Sequence, residues 1–338
     1  APDKREAILA SIPETRRLDA ATALAWVGGI LAGVAVIAFV AANWDGMSRL
    51  ARFAILLSTF LALAGAAAWA SHRERPLLSN IALTIAALVF ASSVGLTGQI
   101  FDIVGDPAAA SYGAGVAAFA LALAGRSTGA AVASLVFVAL GDFADASMFS
   151  SESQAPWMLP AAPLAAFLAL RWHSAPLAHA SALGVLYCFG WLAARFDEGE
   201  AGVLFFFSLL LAGMAAAARW FAAQERAFAN VFYGWFAFGA LVMFAIAGYL
   251  PLFGAEETLA GKIGHRLLWL GASGGLIALG RLDRHMLATA IGVLSLIAAI
   301  CALLADLGLN LMAAAGVFFL CAIAAAVGGL MLRRKKDA

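Results

Sequence analysis

Residues 201–218 read AGVLFFFSLLLAGMAAAA and contain no Asp, Glu, Lys or Arg. As an α-helix this run would be about 27 Å long, because each residue adds about 1.5 Å. The hydrocarbon core of a bilayer is about 30 Å thick, and roughly 20 apolar residues cross it. The stretch therefore predicts a transmembrane helix, and apolar blocks of the same kind recur along the chain.

The composition of the whole chain agrees with this interpretation. Of its 338 residues, 64% are hydrophobic and only 12% are charged, whereas soluble domains have about 25% charged residues. The mean hydropathy of +0.94 excludes a single water-soluble core. The net charge of +1 is carried by scattered basic residues and indicates no nucleic-acid partner. The expected partner is the lipid bilayer, and other membrane-protein subunits or self-association remain open.

The apolar blocks predict an all-α, polytopic membrane protein with about twelve transmembrane helices in one bundle. Residues 1–19 are expected to form a short amphipathic cytoplasmic segment, residues 20–332 the transmembrane domain, and residues 333–338 a basic cytoplasmic tail. The predicted spans are 20–42, 49–70, 79–100, 110–125, 127–142, 157–171, 175–195, 200–218, 227–250, 266–281, 285–305 and 309–332.

The distribution of basic residues predicts the orientation of these spans. With the N-terminus inside, 16 of the 21 Lys and Arg residues fall in inner segments, including the final run at 333–336. The other five fall in outer segments: Arg49, Arg52, Arg195, Lys262 and Arg266. Cytoplasmic loops of membrane proteins carry such an excess of basic residues. The sequence thus predicts a bacterial inner-membrane protein with both termini in the cytoplasm.

Polar residues gather in the predicted outer segments, where ionisable groups are costly unless they are hydrated, paired or used. If these side chains converge, they form an outward-facing site for a small cation, a proton-coupled solute or a lipid. If they do not converge, they are ordinary acidic loops and helix caps. The set consists of Asn43, Trp44, Asp45, Gln99, Asp102, Asp106, Asp142, Asp306 and Asn310.

Catalytic and metal motifs give little signal in this sequence. Cys188, Cys301 and Cys321 lie in apolar stretches without metal-ligand spacing, so no cofactor or metal is predicted. Residues 271–275 read GASGG and resemble the serine motif of rhomboid proteases, which leaves Ser273 open as an intramembrane nucleophile. A serine nucleophile needs a base within hydrogen-bond reach. The alternative is a helix contact through Gly271 and Gly275, spaced as G-x-x-x-G.

Two signatures in the first part of the chain carry a family resemblance. Residues 26–29 (WVGG) and 41–45 (AANWD) form the first, and residues 98–101 (GQIF) and 105–107 (GDP) form the second. Over residues 20–125 the chain resembles the bacterial membrane proteins grouped as domain of unknown function 2157. The resemblance implies a multi-pass membrane protein and implies no activity.

Three functional hypotheses follow. The first is a non-enzymatic protein that binds or translocates a small cation, a proton-coupled solute or a lipid through the outer polar set. The second is a non-catalytic accessory or scaffold subunit of a larger membrane complex. The third is an intramembrane hydrolase that uses Ser273.

Overall fold

The computed structural model describes most of the chain between residues 26 and 308. The described residues are 26–29, 31, 35, 38, 39, 42, 46–100, 105–144, 155–196, 201–224, 228–250 and 258–308. Within these residues, the chain forms helices and turns without a β-strand. The residues described between 26 and 42 are helical, and a turn begins at residue 46. Ten helices have defined bounds: α1 (Arg49–His72), α2 (Pro76–Ile100), α3 (Pro107–Gly125), α4 (Thr128–Ala144), α5 (Met158–Trp172), α6 (Ala175–Phe196), α7 (Ala201–Ala223), α8 (Ala229–Ala247), α9 (Leu259–Leu282) and α10 (Met286–Asp306).

The all-α expectation is confirmed, but the expected number of about twelve spans is wrong. Seven of the described helices are long and apolar enough to cross a membrane, namely α1, α2, α3, α6, α7, α8 and α10. Helices α4 and α5 are apolar but shorter. Helix α9 has 24 residues, but Lys262, Arg266 and Arg281 lower its hydropathy. The span predicted at 309–332, most of 20–42 and both terminal segments lie outside the described residues.

Most helix bounds lie within three residues of the predicted spans, but α7 ends five residues later than predicted, at Ala223, and α9 begins seven residues earlier. The sequence predicts a span from residue 266, whereas the helix begins at Leu259. Hydropathy alone placed the boundary at Arg266, after Lys262. The helix instead begins where Thr258 accepts a hydrogen bond from the backbone N–H of Gly261, which is the usual role of a threonine at a helix N-terminus.

Four turns between consecutive helices share one backbone conformation. In each, a non-glycine residue has a positive φ, which places it in the left-handed region: Glu74, Arg126, His173 and Arg284. The next N–H then bonds to a carbonyl five residues back, for example His285 N to Gly280 O at 2.7 Å. This pattern satisfies carbonyls that a helix end would leave without partners. Each turn reverses the chain within a few residues. The helices before and after the turns at Glu74, Arg126 and Arg284 pack against each other, namely α1 with α2, α3 with α4 and α9 with α10.

Two compact units divide the described chain. The first contains α1 to α4 and α5 up to Ala165, and the second contains the rest of α5 and helices α6 to α10. In the first unit, Ser134 Oγ on α4 donates to Gly115 O on α3 at 2.8 Å. In the second, Ser208 Oγ on α7 donates to Ala240 O on α8 at 2.9 Å. Buried serines therefore bind neighbouring backbones within each unit.

Helices α9 and α10 approach closely through small residues that differ from those predicted. A Cβ added at Gly280 would lie 2.7 Å from Thr289 N, and one at Gly292 would lie 3.1 Å from Ser273 O. No described atom lies within 4 Å of a Cβ added at Gly271 or Gly275. The expected G-x-x-x-G contact is therefore wrong among the described residues. The helices instead approach each other at Gly280, near the α9–α10 turn, and where Gly292 faces the Ser273 carbonyl.

We expect Gly280→Ala to destabilise the protein by about 1–3 kcal/mol, because the added methyl group would overlap the backbone of α10. Gly271→Ala is the matched control on the same helix. It should be neutral or stabilising by up to about 1 kcal/mol, because alanine favours a helix over glycine. Unfolding in bicelles, followed by circular dichroism, measures both. Equal effects of the two substitutions would contradict this packing.

Candidate functional site

Asp106, a member of the predicted polar set, caps helix α3. Its Oδ1 accepts a hydrogen bond from Ala108 N at 2.9 Å, and Pro107 occupies the first helical position. A carboxylate and a proline in these positions are typical of a helix N-terminus, because the first N–H groups lack partners within the helix. The described contact of Asp106 is thus a structural one.

Asp142 lies near the end of α4 and is 2% exposed. Its Oδ1 accepts hydrogen bonds from Tyr112 Oη at 2.8 Å and from Trp157 N at 3.0 Å. Its Oδ2 accepts from Met158 N at 3.1 Å. The carboxylate therefore caps α5 from another helix and connects it to α3. Gly141 makes this possible, because a Cβ there would lie against the Tyr112 ring.

We expect Asp142→Asn to destabilise the protein by about 1–3 kcal/mol, because an amide nitrogen would face an N–H donor and leave it without an acceptor. Asp106→Asn should change stability by a few tenths of a kcal/mol at most, because asparagine caps helices about as well as aspartate. Thermal unfolding in nanodiscs compares the two variants. A larger loss for Asp106→Asn would contradict this assignment.

Asp306, at the end of α10, forms an ion pair with a buried arginine of α9. Arg266 is 1% exposed, and its Nε donates to Asp306 Oδ2 at 2.8 Å. The Asp306 side chain is 16% exposed. A buried charge is costly to desolvate and needs both a counter-charge and hydrogen bonds. Asp306 supplies the counter-charge from 40 residues away in the sequence.

His265 is the second polar partner of Arg266. Its Nδ1 lies 3.2 Å from Arg266 Nη1, and its Nε2 lies 2.9 Å from Phe244 O. A carbonyl only accepts and a guanidinium only donates. Both contacts are therefore satisfied by a neutral imidazole that carries its proton on Nε2. The ring also stacks on Phe244, with centroids 4.5 Å apart.

Aromatic rings and a glycine complete the surroundings of the guanidinium. Arg266 Cζ lies 4.1 Å from the centroid of the Tyr249 ring, within range of a cation–π interaction. The Trp269 ring lies 5.9 Å away on the same helix. A Cβ at Gly248 would fall on the His265 ring and within 2.7 Å of Arg266 Nη1. Glycine at position 248 thus allows both side chains to reach α8.

We call this set the Arg266 cluster; it consists of Phe244, Tyr249, His265, Arg266 and Asp306. Only Asp306 belongs to the predicted polar set, because Arg266 was interpreted as a basic residue of an outer segment. An arginine beside a histidine within an apolar helix was the signal that could have identified it.

The other described members of the predicted set belong to the first unit, whereas the Arg266 cluster belongs to the second. Asp106 and Asp142 lie at the same end of the α3–α4 hairpin, in the first unit. The side chain of Gln99 lies outside the described part of the chain. The remaining members of the set also lie outside it: Asn43, Trp44, Asp45, Asp102 and Asn310.

Ser273 is fully buried, and its hydroxyl donates to Ser295 Oγ at 2.9 Å. Ser295 Oγ also accepts from Trp269 Nε1 at 2.8 Å. Neither partner is a general base, so these contacts favour a role in α9–α10 packing. No group of three His, Cys, Asp or Glu side chains in the described ranges lies close enough to hold a metal ion.

A second ion pair lies at the opposite end of α9. Arg219 donates from Nε to Asp283 Oδ2 at 2.6 Å and from Nη2 to Asp283 Oδ1 at 2.9 Å. The guanidinium and the carboxylate therefore form two parallel hydrogen bonds. These bonds hold the pKa of Asp283 below its ordinary value of 3.8. Unlike the buried Arg266, the Arg219 side chain is 43% exposed.

The lowered pKa of Asp283 gives a pH-dependent prediction. A lowered folded-state pKa contributes stability above the unfolded pKa, near 4, and this contribution is lost as the pH falls through the folded pKa. We therefore expect wild type to unfold at a higher temperature than Asp283→Asn at pH 7. The difference should begin to shrink as the pH falls below about 4. Melting curves from pH 3 to 7 test this, and a difference that widens in acid would contradict it.

The long apolar helices, together with buried Asp142 and Arg266 side chains that are hydrogen-bonded within the protein, define a multi-pass integral membrane protein. Residues 1–131 match a family described as predicted membrane protein (DUF2157), which confirms the resemblance seen in the sequence. No match was found among curated proteins or among solved structures.

Proposed function

We propose that this membrane protein binds or translocates a proton-coupled solute, and that the Arg266 cluster is its site. The observation that carries the proposal is a fully buried arginine whose two polar partners, Asp306 and His265, can both take up a proton. An ionisable residue buried among the helices of a membrane protein is by default a candidate for function. The cluster lies on the side that the sequence predicts to be extracytoplasmic.

The charges of the cluster favour a solute with an acceptor group over a bare cation. Arg266 already supplies a full positive charge beside Asp306, which opposes the binding of a second cation. The contacts with Asp306 and His265 use two of the five N–H donors of the guanidinium. A carboxylate on a solute would accept from the others.

Protonation supplies the coupling between solute and proton. A proton on Asp306 would remove the counter-charge of Arg266, and a proton on His265 Nδ1 would place a donor against a donor. In either case the buried guanidinium needs a new acceptor, because an uncompensated buried charge is costly. Uptake of a proton and of an anionic solute therefore favour each other, as linkage requires.

Proteoliposomes loaded with a pH-sensitive dye test this proposal, with succinate and glutamate as the outside probes. We expect an inward gradient of at least one of them to acidify the lumen for wild-type protein. The double variant Arg266→Gln/Asp306→Asn should abolish this signal. Both charges are removed together, so that neither is left buried alone. Asp283→Asn, at the other end of α9, is the control and should retain the signal.

Absence of acidification by wild-type protein, or equal acidification by the folded double variant, would refute the proposal. The accessory-subunit hypothesis predicts a different result. It requires that a partner chain co-purifies in a constant ratio to this protein after mild extraction from the native membrane. It also requires that the protein alone moves no protons.

A further inference from the structure

A cavity of about 760 Å³ lies at the end of the second unit opposite the Arg266 cluster. It is formed where α7 ends, α8 begins and the α9–α10 turn passes, and its polar lining comes from Arg219, Asn230, Tyr233, Asp283, Arg284 and His285. Ligand pockets typically have volumes of about 300–1,000 Å³. The cavity is thus large enough for a charged headgroup with part of its chain.

The hydroxyl group of Tyr233 is the first sign of a ligand. Tyr233 lines the cavity and is only 4% exposed. Its buried hydroxyl has no hydrogen-bond partner among the residues that the structure describes. A buried hydroxyl without a partner costs about 1–3 kcal/mol. An acceptor group bound in the cavity would remove this cost.

The N-terminus of α8 is the second sign. Helix α8 begins after Phe228, whose φ of 59° is left-handed and whose side chain cannot cap the helix. The first N–H groups of a helix attract anions, because they lack partners within the helix and carry the positive end of its dipole. Phe228 and Asn230 both line the cavity.

The charge of the described lining is positive. Both carboxylate oxygens of Asp283 accept hydrogen bonds from Arg219, so this pair is neutral. His285 donates from Nε2 to Asn230 O and accepts at Nδ1 from Ala288 N, which a neutral imidazole satisfies. Arg284 has no ion-pair partner within the described ranges and adds one positive charge to the lining.

Exposed apolar side chains surround this charge. Trp220 lines the cavity, and Leu282 and Met286 flank its turn; all three are more than half exposed. Charged groups at the end of a membrane helix, next to exposed apolar ones, match a molecule with an anionic head and apolar chains. A soluble anion would leave these apolar side chains without a partner.

We propose that this cavity binds the phosphate of an anionic phospholipid. Arg284 supplies the charge, while Tyr233 Oη and the first N–H groups of α8 donate hydrogen bonds to the phosphate oxygens. The acyl chains lie along Trp220 and the exposed residues of the α9–α10 turn. The site does not involve the Arg266 cluster, so it stands or falls independently of the proposed transport function.

Native mass spectrometry of the full chain tests the site, with phosphatidylglycerol and phosphatidylcholine of the same acyl chains as probes. We expect wild type to prefer phosphatidylglycerol. Arg284→Asn should weaken this binding about fivefold, the effect expected for one basic residue near a membrane surface. Asparagine is chosen because it tolerates the positive φ of residue 284. Tyr233→Phe should weaken binding by about tenfold, the loss expected for a hydrogen bond to a charged group.

Arg281→Asn is the matched control, because Arg281 lies three residues from Arg284, carries the same charge and does not line the cavity. It should change the affinity by less than about twofold, since a charge that does not line the cavity contributes only a screened interaction. Equal binding of the two lipids, or equal effects of Arg281→Asn and Arg284→Asn, would overturn the proposal. An unchanged affinity in Tyr233→Phe would place the lipid outside the cavity. Displacement by inorganic phosphate would assign the site to a soluble anion.

Discussion

A polar group that enters a bilayer must find its partner within the protein, because the lipid offers none. This constraint governs the backbone, which is paired within helices, and it governs the buried side chains equally. Ser134 and Ser208 give their hydroxyl protons to carbonyls of neighbouring helices. Asp142 accepts two N–H groups at the start of α5 and a tyrosine hydroxyl. These bonds fix which helices pack together, since apolar contacts alone discriminate weakly between helix faces in lipid.

Because of the same constraint, two arginine–aspartate pairs in the second unit contribute differently to the free energy of folding. Arg219 and Asp283 lie at a helix end with much of the guanidinium exposed. Such pairs are worth only about 0–1 kcal/mol. Arg266 donates one hydrogen bond to Asp306 and is buried, so desolvation opposes their attraction. A buried pair of this kind is poorly explained by stability alone, because apolar residues of similar volume often replace one without loss.

The sequence predicted the helices well because hydropathy is a local property. The bounds of α6 and α10 differ from the predicted spans by a residue or so. Asp106 beside Pro107 was likewise a local signal, and its capping role was among the interpretations open from the sequence. The start of α9 was misplaced because hydropathy treats Arg266 as a boundary. Its burial depends on Asp306, which approaches it only in the folded chain.

The candidate site was harder to predict for the same reason. Asp306 was identified as polar and costly, but its partner could not be found from spacing across 40 residues. Asp142 was grouped with it as a possible ligand, yet three donors from α3 and the start of α5 already occupy its oxygens. Hydropathy therefore locates the polar residues that require a partner, and only the fold distinguishes the carboxylates that cap helices from the carboxylate that pairs with a buried arginine. In this respect the Arg266 cluster differs from the capping aspartates. Arg266 is a buried charge, and protonation of either Asp306 or His265 would remove the bond between that residue and the guanidinium.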